Sequence, residues 1–151
     1  MEIIVPDIGH GNSVGIFENA MYPLLIDCGT ESNGKRRNFT NLLEPPLKRA
    51  NGGDLVITHY HFDHYSLLSG SFSGKFFNNI YLPALPQKSL TAQAMERFMA
   101  LAIAARYEKY YLSLWISSFG KNIHCLVKDE SFNAIGRDWE VLWPDYNIID
   151  L

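Results

Sequence analysis

The stretch that most constrains this chain runs from Asp54 to His64. Its first part, 54-DLVITH-59, is nearly all apolar, the composition of a strand buried on both faces in the middle of a sheet. Its second part, 59-HYHFDH-64, places three of the five histidines and an aspartate within six positions. Polar residues that first appear where a buried strand ends lie where the backbone leaves the ladder and side chains can converge on a ligand. The fold must supply a sheet around this strand, and a site is expected at its C-terminal end.

The flanking sequence supplies that sheet. Before the central strand, 2-EIIVPDI-8, 13-SVGIFENA-20 and 23-PLLIDCG-29 read as short strands parted by turn residues, a meander of antiparallel strands. Between them and Asp54, the segment 38-NFTNLLEPPLKRANG-52 carries Leu42, Leu43 and Leu47 at helical spacing around two prolines, which predicts a short, broken helix ending at Gly52 and Gly53. After the cluster, 65-YSLLSGSF-72 begins a helix or a loop and 79-NIYLPAL-85 a strand. The segment 89-SLTAQAMERFMALAIAARYEKYYLSLW-115 is the longest helical pattern, capped by Ser89 or Thr91 and striped by Met95, Phe98, Met99, Ala102 and Ile103. Two further strands are expected at 122-NIHCLVKD-129 and 138-DWEVLWP-144. No repeat, low-complexity tract or linker divides the chain, so residues 1–151 are read as one α+β domain.

Composition narrows the function classes little. With 47% hydrophobic and 19% charged residues the chain reads as ordinary globular protein, and a formal charge of −3 gives no general attraction to nucleic acid or anionic membrane. Cys28 and Cys125 lack CxxC spacing, which excludes a zinc ribbon or redox motif, and both are expected to be buried free thiols. Met1 leads directly into a strand pattern with no apolar leader and no run long enough to span a bilayer, so a cytoplasmic location is expected.

The cluster itself suits metal. On extended backbone alternate residues face the same way, so His59 and His61 can grip one cation, and Asp63 beside His64 suits a second. Two cations about 3.5–4 Å apart can hold a hydroxide between them and stabilise a developing oxyanion, the logic of metal-assisted hydrolysis. Histidines also gather at surface turns without a ligand, but three of five at one strand end favour a built site. The aromatics Tyr60, Phe62 and Tyr65 flank these residues, to line a pocket or to pack in the core.

These residues also carry a family resemblance. The run His59-Tyr60-His61-Phe62-Asp63-His64 resembles the HxHxDH signature of the metallo-β-lactamase superfamily. The segment 24-LLIDCG-29 is similar to that family's strand ending in Asp-x-Gly, while 7-DIGHGNSVGI-16 and 139-WEVLWP-144 resemble its competence-type DNA-uptake nuclease branch. The resemblance implies an αββα sandwich, two zinc ions or other divalent metals such as Mn or Fe, and hydrolysis by a metal-bound hydroxide. Carried over, His59 and His61 bind the first metal, Asp63 and His64 the second, and Asp63 belongs to the catalytic centre. Asp27 braces the metal loop by hydrogen bonds, or alternatively serves as a turn-former before Gly29.

The remaining family ligands have no clear counterpart. His124 lies inside a strand pattern and reads as a structural histidine before a ligand. Asp145 and Asp150 lack the expected turn context. His10, in 9-GHGN-12, reads as a solvent-exposed loop histidine, with substrate contact as the alternative, and its flanking glycines allow a tight turn. The resemblance thus covers the N-terminal half of the fold, in a fragment or a truncated form whose site is inactive alone. An uncovered sheet edge and inner face would then invite a second copy or a partner chain. The expected function is a metal-dependent hydrolase of phosphodiester or other ester bonds, acting on a small-molecule or nucleic-acid substrate. The alternative is a non-catalytic binding or subunit module of the same fold; di-iron redox chemistry has no supporting feature.

Overall fold

The computed structural model describes residues 1–84 and 111–142. Eight strands and three short helices are bounded in it: β1 (Glu2–Ile4), β2 (Gly11–Phe17), β3 (Leu24–Thr30), α1 (Arg36–Leu42), α2 (Glu44–Ala50), β4 (Asp54–Val56), α3 (Leu68–Ser71), β5 (Phe77–Pro83), β6 (Gly120–Leu126), β7 (Ser131–Ala134) and β8 (Arg137–Glu140). Residues 111–117 are also helical; the rest of the expected 89–115 helix lies outside the described residues, as do positions 143–144 of the last strand.

The first six strands form one mixed sheet in the order β1-β2-β3-β4-β5-β6. The meander is antiparallel, as its short turns require, and β3 through β6 then run parallel. β4 sits inside this sheet between β3 and β5, and Leu55 is fully buried, as its apolar sequence demands. The expected first strand is cut short, because Pro6 lacks an N–H with which to continue the ladder. The expected helix over 38–52 does break: Pro45 and Pro46 open α2, where the missing N–H groups cost nothing, and Asn51 in the left-handed region ends it.

Apolar residues alternate across the sheet and feed two layers. Leu25, Leu55, Ile80 and Leu82 face the helices, where Phe39, Leu43 and Leu47 are wholly buried. Each such side chain is worth about 1.5–3 kcal/mol in area removed from water. Leu24, Ile26, Val56 and Ile16 face the other way, toward the β7–β8 hairpin and its Phe132, Ala134 and Trp139. The hairpin turns on Ile135 and Gly136, both at positive φ of 53° and 69°. That is the backbone of a two-residue hairpin turn with matching twist, and Ile135 keeps this costly conformation because its side chain is buried in the hairpin layer.

One expectation about the thiols is corrected. Cys28 is buried on β3, but Cys125 is exposed. It stands on β6, which pairs only with β5 among the described strands and leaves Lys121 through Cys125 exposed.

Candidate functional site

The loop after β4 carries the cluster, and its placement begins with β3. Asp27 lies in the middle of that strand, fully buried and at φ 57°. A wholly buried carboxylate in a left-handed backbone is tolerated only where its surroundings hold it there. Its oxygens are saturated: Oδ1 accepts from the Thr58 backbone N–H at 2.7 Å, and Oδ2 accepts from Thr58 Oγ1 at 2.7 Å and Asn12 Nδ2 at 3.0 Å. Asp27 Oδ2 also lies 2.7 Å from His64 Nδ1. One carboxylate thus ties together β2, β3, the segment just after β4 and the far side of the histidine loop.

Two residues ahead, Gly29 makes this approach sterically possible. A Cβ there would fall on the Asp63 carbonyl carbon and oxygen and within 2.6 Å of the His64 nitrogen. The loop is fastened further on by Ser66, whose Oγ accepts from Thr30 N and donates to Thr30 O, both at 2.8 Å, and by the Leu67 N–H, which donates to Cys28 O at 2.9 Å. The Asp-x-Gly sequence is therefore a docking seam: the acid binds the loop and the glycine admits it.

The hydrogen bonds also place protons on the imidazoles. The Asp27 carboxylate only accepts, so His64 Nδ1 carries a proton and its Nε2 is turned away from Asp27. The Thr58 hydroxyl has one proton and gives it to Asp27; at 3.0 Å it therefore accepts from His59 Nδ1, leaving Nε2 of a neutral His59 with a lone pair. Partial burial, together with the neighbouring His64 and His61, pushes the His59 pKa below its usual value and keeps the ring neutral. The three rings crowd together, His59 with centroids 3.8 Å from His64 and 4.6 Å from His61.

Asp63 is buried on the short 3-10 turn Phe62–His64, with Oδ2 3.7 Å from His64 Nε2. A proton or a cation between the two atoms would join them. His10 completes the neighbourhood. Its ring is 76% exposed, as a loop histidine should be, yet Nε2 lies 3.4 Å from Asp63 Oδ2 and Nδ1 3.3 Å from Glu31 Oε2. Gly9, at φ 65°, makes the tight turn that brings it there.

His124 stands apart from this loop. Its Nε2 pairs with Asn79 Oδ1 at 3.0 Å and its ring stacks on Tyr81 at 4.8 Å, on the hairpin face of the sheet, so the structural reading of this residue describes its surroundings. Tyr60 and Tyr65 pack against the helix-side core, Tyr60 donating to Pro83 O at 2.8 Å, while Phe62 is exposed. Asp145 and Asp150 lie outside the described residues.

A neutral His59 imidazole, a buried carboxylate beside His64 Nε2 and a second carboxylate orienting the His64 ring from behind fit a divalent cation in donor chemistry. They do not form a finished cage: among the described residues, no three His, Cys, Asp or Glu side chains are disposed to hold a metal ion together. Reading the sequence missed Thr58, Asn12, Ser66 and the steric role of Gly29. Thr58 had a local signal, since it stands between the apolar run and the first histidine. The chain matches no protein-family model, and it matches no curated protein.

Proposed function

We propose that this chain is a metal-dependent hydrolase of ester bonds, built on the N-terminal half of a metallo-β-lactamase-like αββα sandwich. The observation that carries the reading is the Asp27–His64 pair, with His64 Nε2 turned toward the buried Asp63 carboxylate. A divalent cation between that nitrogen and Asp63 would balance the buried negative charge, and Asp27 holds the ring in place for it. The position supports it as well: the loop lies beyond the C-terminal end of an interior strand in a parallel set.

In this reading His59, His61, Asp63 and His64 hold one or two divalent ions, zinc by donor type with Mn or Fe as alternatives. The bound metal supplies Lewis acidity and an activated water. The protein does the rest. Thr58 and Asp27 hold the rings of His59 and His64 by their Nδ1 protons, Asp63 supplies the negative charge that balances the cation, and His10, exposed beside Asp63, is placed to meet a substrate oxygen. The free Cys28 and Cys125 are compatible with a reducing, cytoplasmic setting. Among the described residues no helix is long and apolar enough to cross a membrane.

A second reading is favoured by one observation, the lack of a three-residue cage among the described residues: a binding or subunit module whose missing ligands come from a second copy or another chain. The exposed edge of β6 is where such a chain can add a strand. Hydrolysis of 4-nitrophenyl acetate and bis(4-nitrophenyl) phosphate by zinc- or manganese-loaded protein separates the two. The hydrolase reading expects turnover abolished by chelator and by His59→Ala; folded, metal-loaded protein that turns over neither ester supports the module.

A further inference from the structure

Between the hairpin face of the sheet and the β7–β8 hairpin lies a cavity of about 490 Å³, within the roughly 300–1,000 Å³ typical of small-molecule sites. Its walls are apolar and aromatic. Ile26, Val56 and Tyr81 form the sheet side, with Phe132 and Trp139 on the hairpin side and Leu142 at the rim. Tyr81 and Phe132 stack on each other at 4.2 Å, and Phe132 lies nearly parallel to Trp139 at 6.4 Å, so the three rings form one aromatic flank of the cavity. At one end the lining changes to Thr58 and His59. The cavity therefore runs from a greasy slot to the histidine cluster, and the same Val56-Ile57-Thr58-His59 segment lines both parts.

Among the described residues the lining contains no lysine or arginine, and its one carboxylate is Glu140. A surface that binds a nucleic-acid backbone neutralises phosphates with cationic side chains, so this slot offers a polynucleotide nothing. An uncharged aromatic or branched aliphatic group gains both area burial and ring stacking there.

We infer that this cavity is the seat of the apolar portion of the substrate, and that the substrate class is a small carboxylic ester with an aryl or medium-length acyl group rather than a nucleic acid. The inference rests on the hydrolase reading for its chemistry but not for its binding. In the reaction, the oxygen of water bonds to the ester carbonyl carbon, the bond from that carbon to the alkoxy oxygen breaks, and the two protons of water end on the released alcohol and on the acid or solvent. The apolar group occupies the slot while the carbonyl lies at the Thr58–His59 end.

The test uses the whole chain, metal-free, titrated with the neutral fluorophore N-phenyl-1-naphthylamine. Saturable binding of about one probe per chain is expected. Displacement by heptanophenone, a ketone isostere of an apolar ester, is expected, and none by dithymidine monophosphate. Val56→Phe narrows the slot and should weaken probe binding at least about tenfold; because it may disturb packing, Leu142→Arg at the exposed rim is the second variant, expected to weaken binding with an unchanged thermal midpoint. His59→Ala should abolish metal-dependent ester turnover. Probe bound and displaced as described, in a protein that takes up no metal, defeats the hydrolase reading and leaves the cavity a ligand site. No saturable binding, binding indifferent to both slot variants, or displacement by the dinucleotide alone overturns the inference even if ester turnover is found.

Discussion

The Asp27 carboxylate and the His64 imidazole lie 2.7 Å apart, and this contact joins the middle of β3 to a loop 37 residues later in the chain. It orients a ring, puts a proton on its Nδ1 and anchors the segment that carries His59, His61, Asp63 and His64. Replacing Asp27 with alanine removes the acceptor for Thr58 N, Thr58 Oγ1 and Asn12 Nδ2 at once. The expected loss is about 3 kcal/mol in urea unfolding, together with a roughly 10- to 100-fold drop in zinc affinity by titration. Asp27→Asn, which tolerates the left-handed backbone, should recover part of the stability and little of the metal affinity.

Gly29 tests the steric half of the same seam. Gly29→Ala places a methyl group on the Asp63 carbonyl, backbone that cannot swing aside. Stability should fall by about 2 kcal/mol or more, with metal affinity falling alongside it because the loop is displaced. Unfolding curves equal to wild type would mean that the loop does not rest on β3 as described.

The two thiols should differ in reactivity. Burial pushes the Cys28 pKa well above its usual value, so its thiolate is scarce, while Cys125 is exposed on β6. Reaction with 5,5′-dithiobis(2-nitrobenzoate) should release about one equivalent in native protein and about two in denaturant, and Cys125→Ser should abolish the native reaction.

Asp54 gives the pH dependence a sign. Burial at the start of β4 raises its pKa from 3.8, against the opposing hydrogen bond from Asn79 Nδ2 at 2.9 Å. A carboxyl whose folded pKa is raised favours the folded state while protonated in both states, below pH about 3.8, and that contribution is lost as pH rises through the folded value. Asp54→Asn keeps an acceptor for Asn79 and carries no charge. The variant should therefore gain stability relative to wild type as pH rises through the acid range, and the gain should level off before neutrality. A difference independent of pH in urea titrations from pH 3 to 7 would contradict this assignment.

What the sequence made legible was local. The apolar run 54-DLVI-57 announces an interior strand because burial on both faces leaves no room for alternation, and Pro45 and Pro46 announce the break between α1 and α2 because they cannot donate. The β7 strand was missed: 131-SFNA-134 is short, and its strand character comes from pairing with β8 through a turn whose Ile135 is not a usual hairpin residue. Cys125 was misjudged because exposure on an edge strand depends on which strands are neighbours, which no window of residues records. At the site, the adjacent ligand candidates could be read from spacing. The Thr58–Asp27–His64 network and the return of His10 to Asp63 could not, since each joins residues far apart in the chain or depends on which proton a hydroxyl gives away.

The central claim is that the loop from His59 to His64 holds a divalent cation. The most direct measurement is the metal content of purified, zinc-reconstituted protein by inductively coupled plasma mass spectrometry after gel filtration, alongside His59→Ala and Asp63→Ala. The account predicts about one equivalent of zinc or more in the wild type and a large loss in both variants, each with an unfolding midpoint near that of the metal-free wild type. Less than about 0.3 equivalents in well-folded wild-type protein, or uptake indifferent to both substitutions, would contradict it.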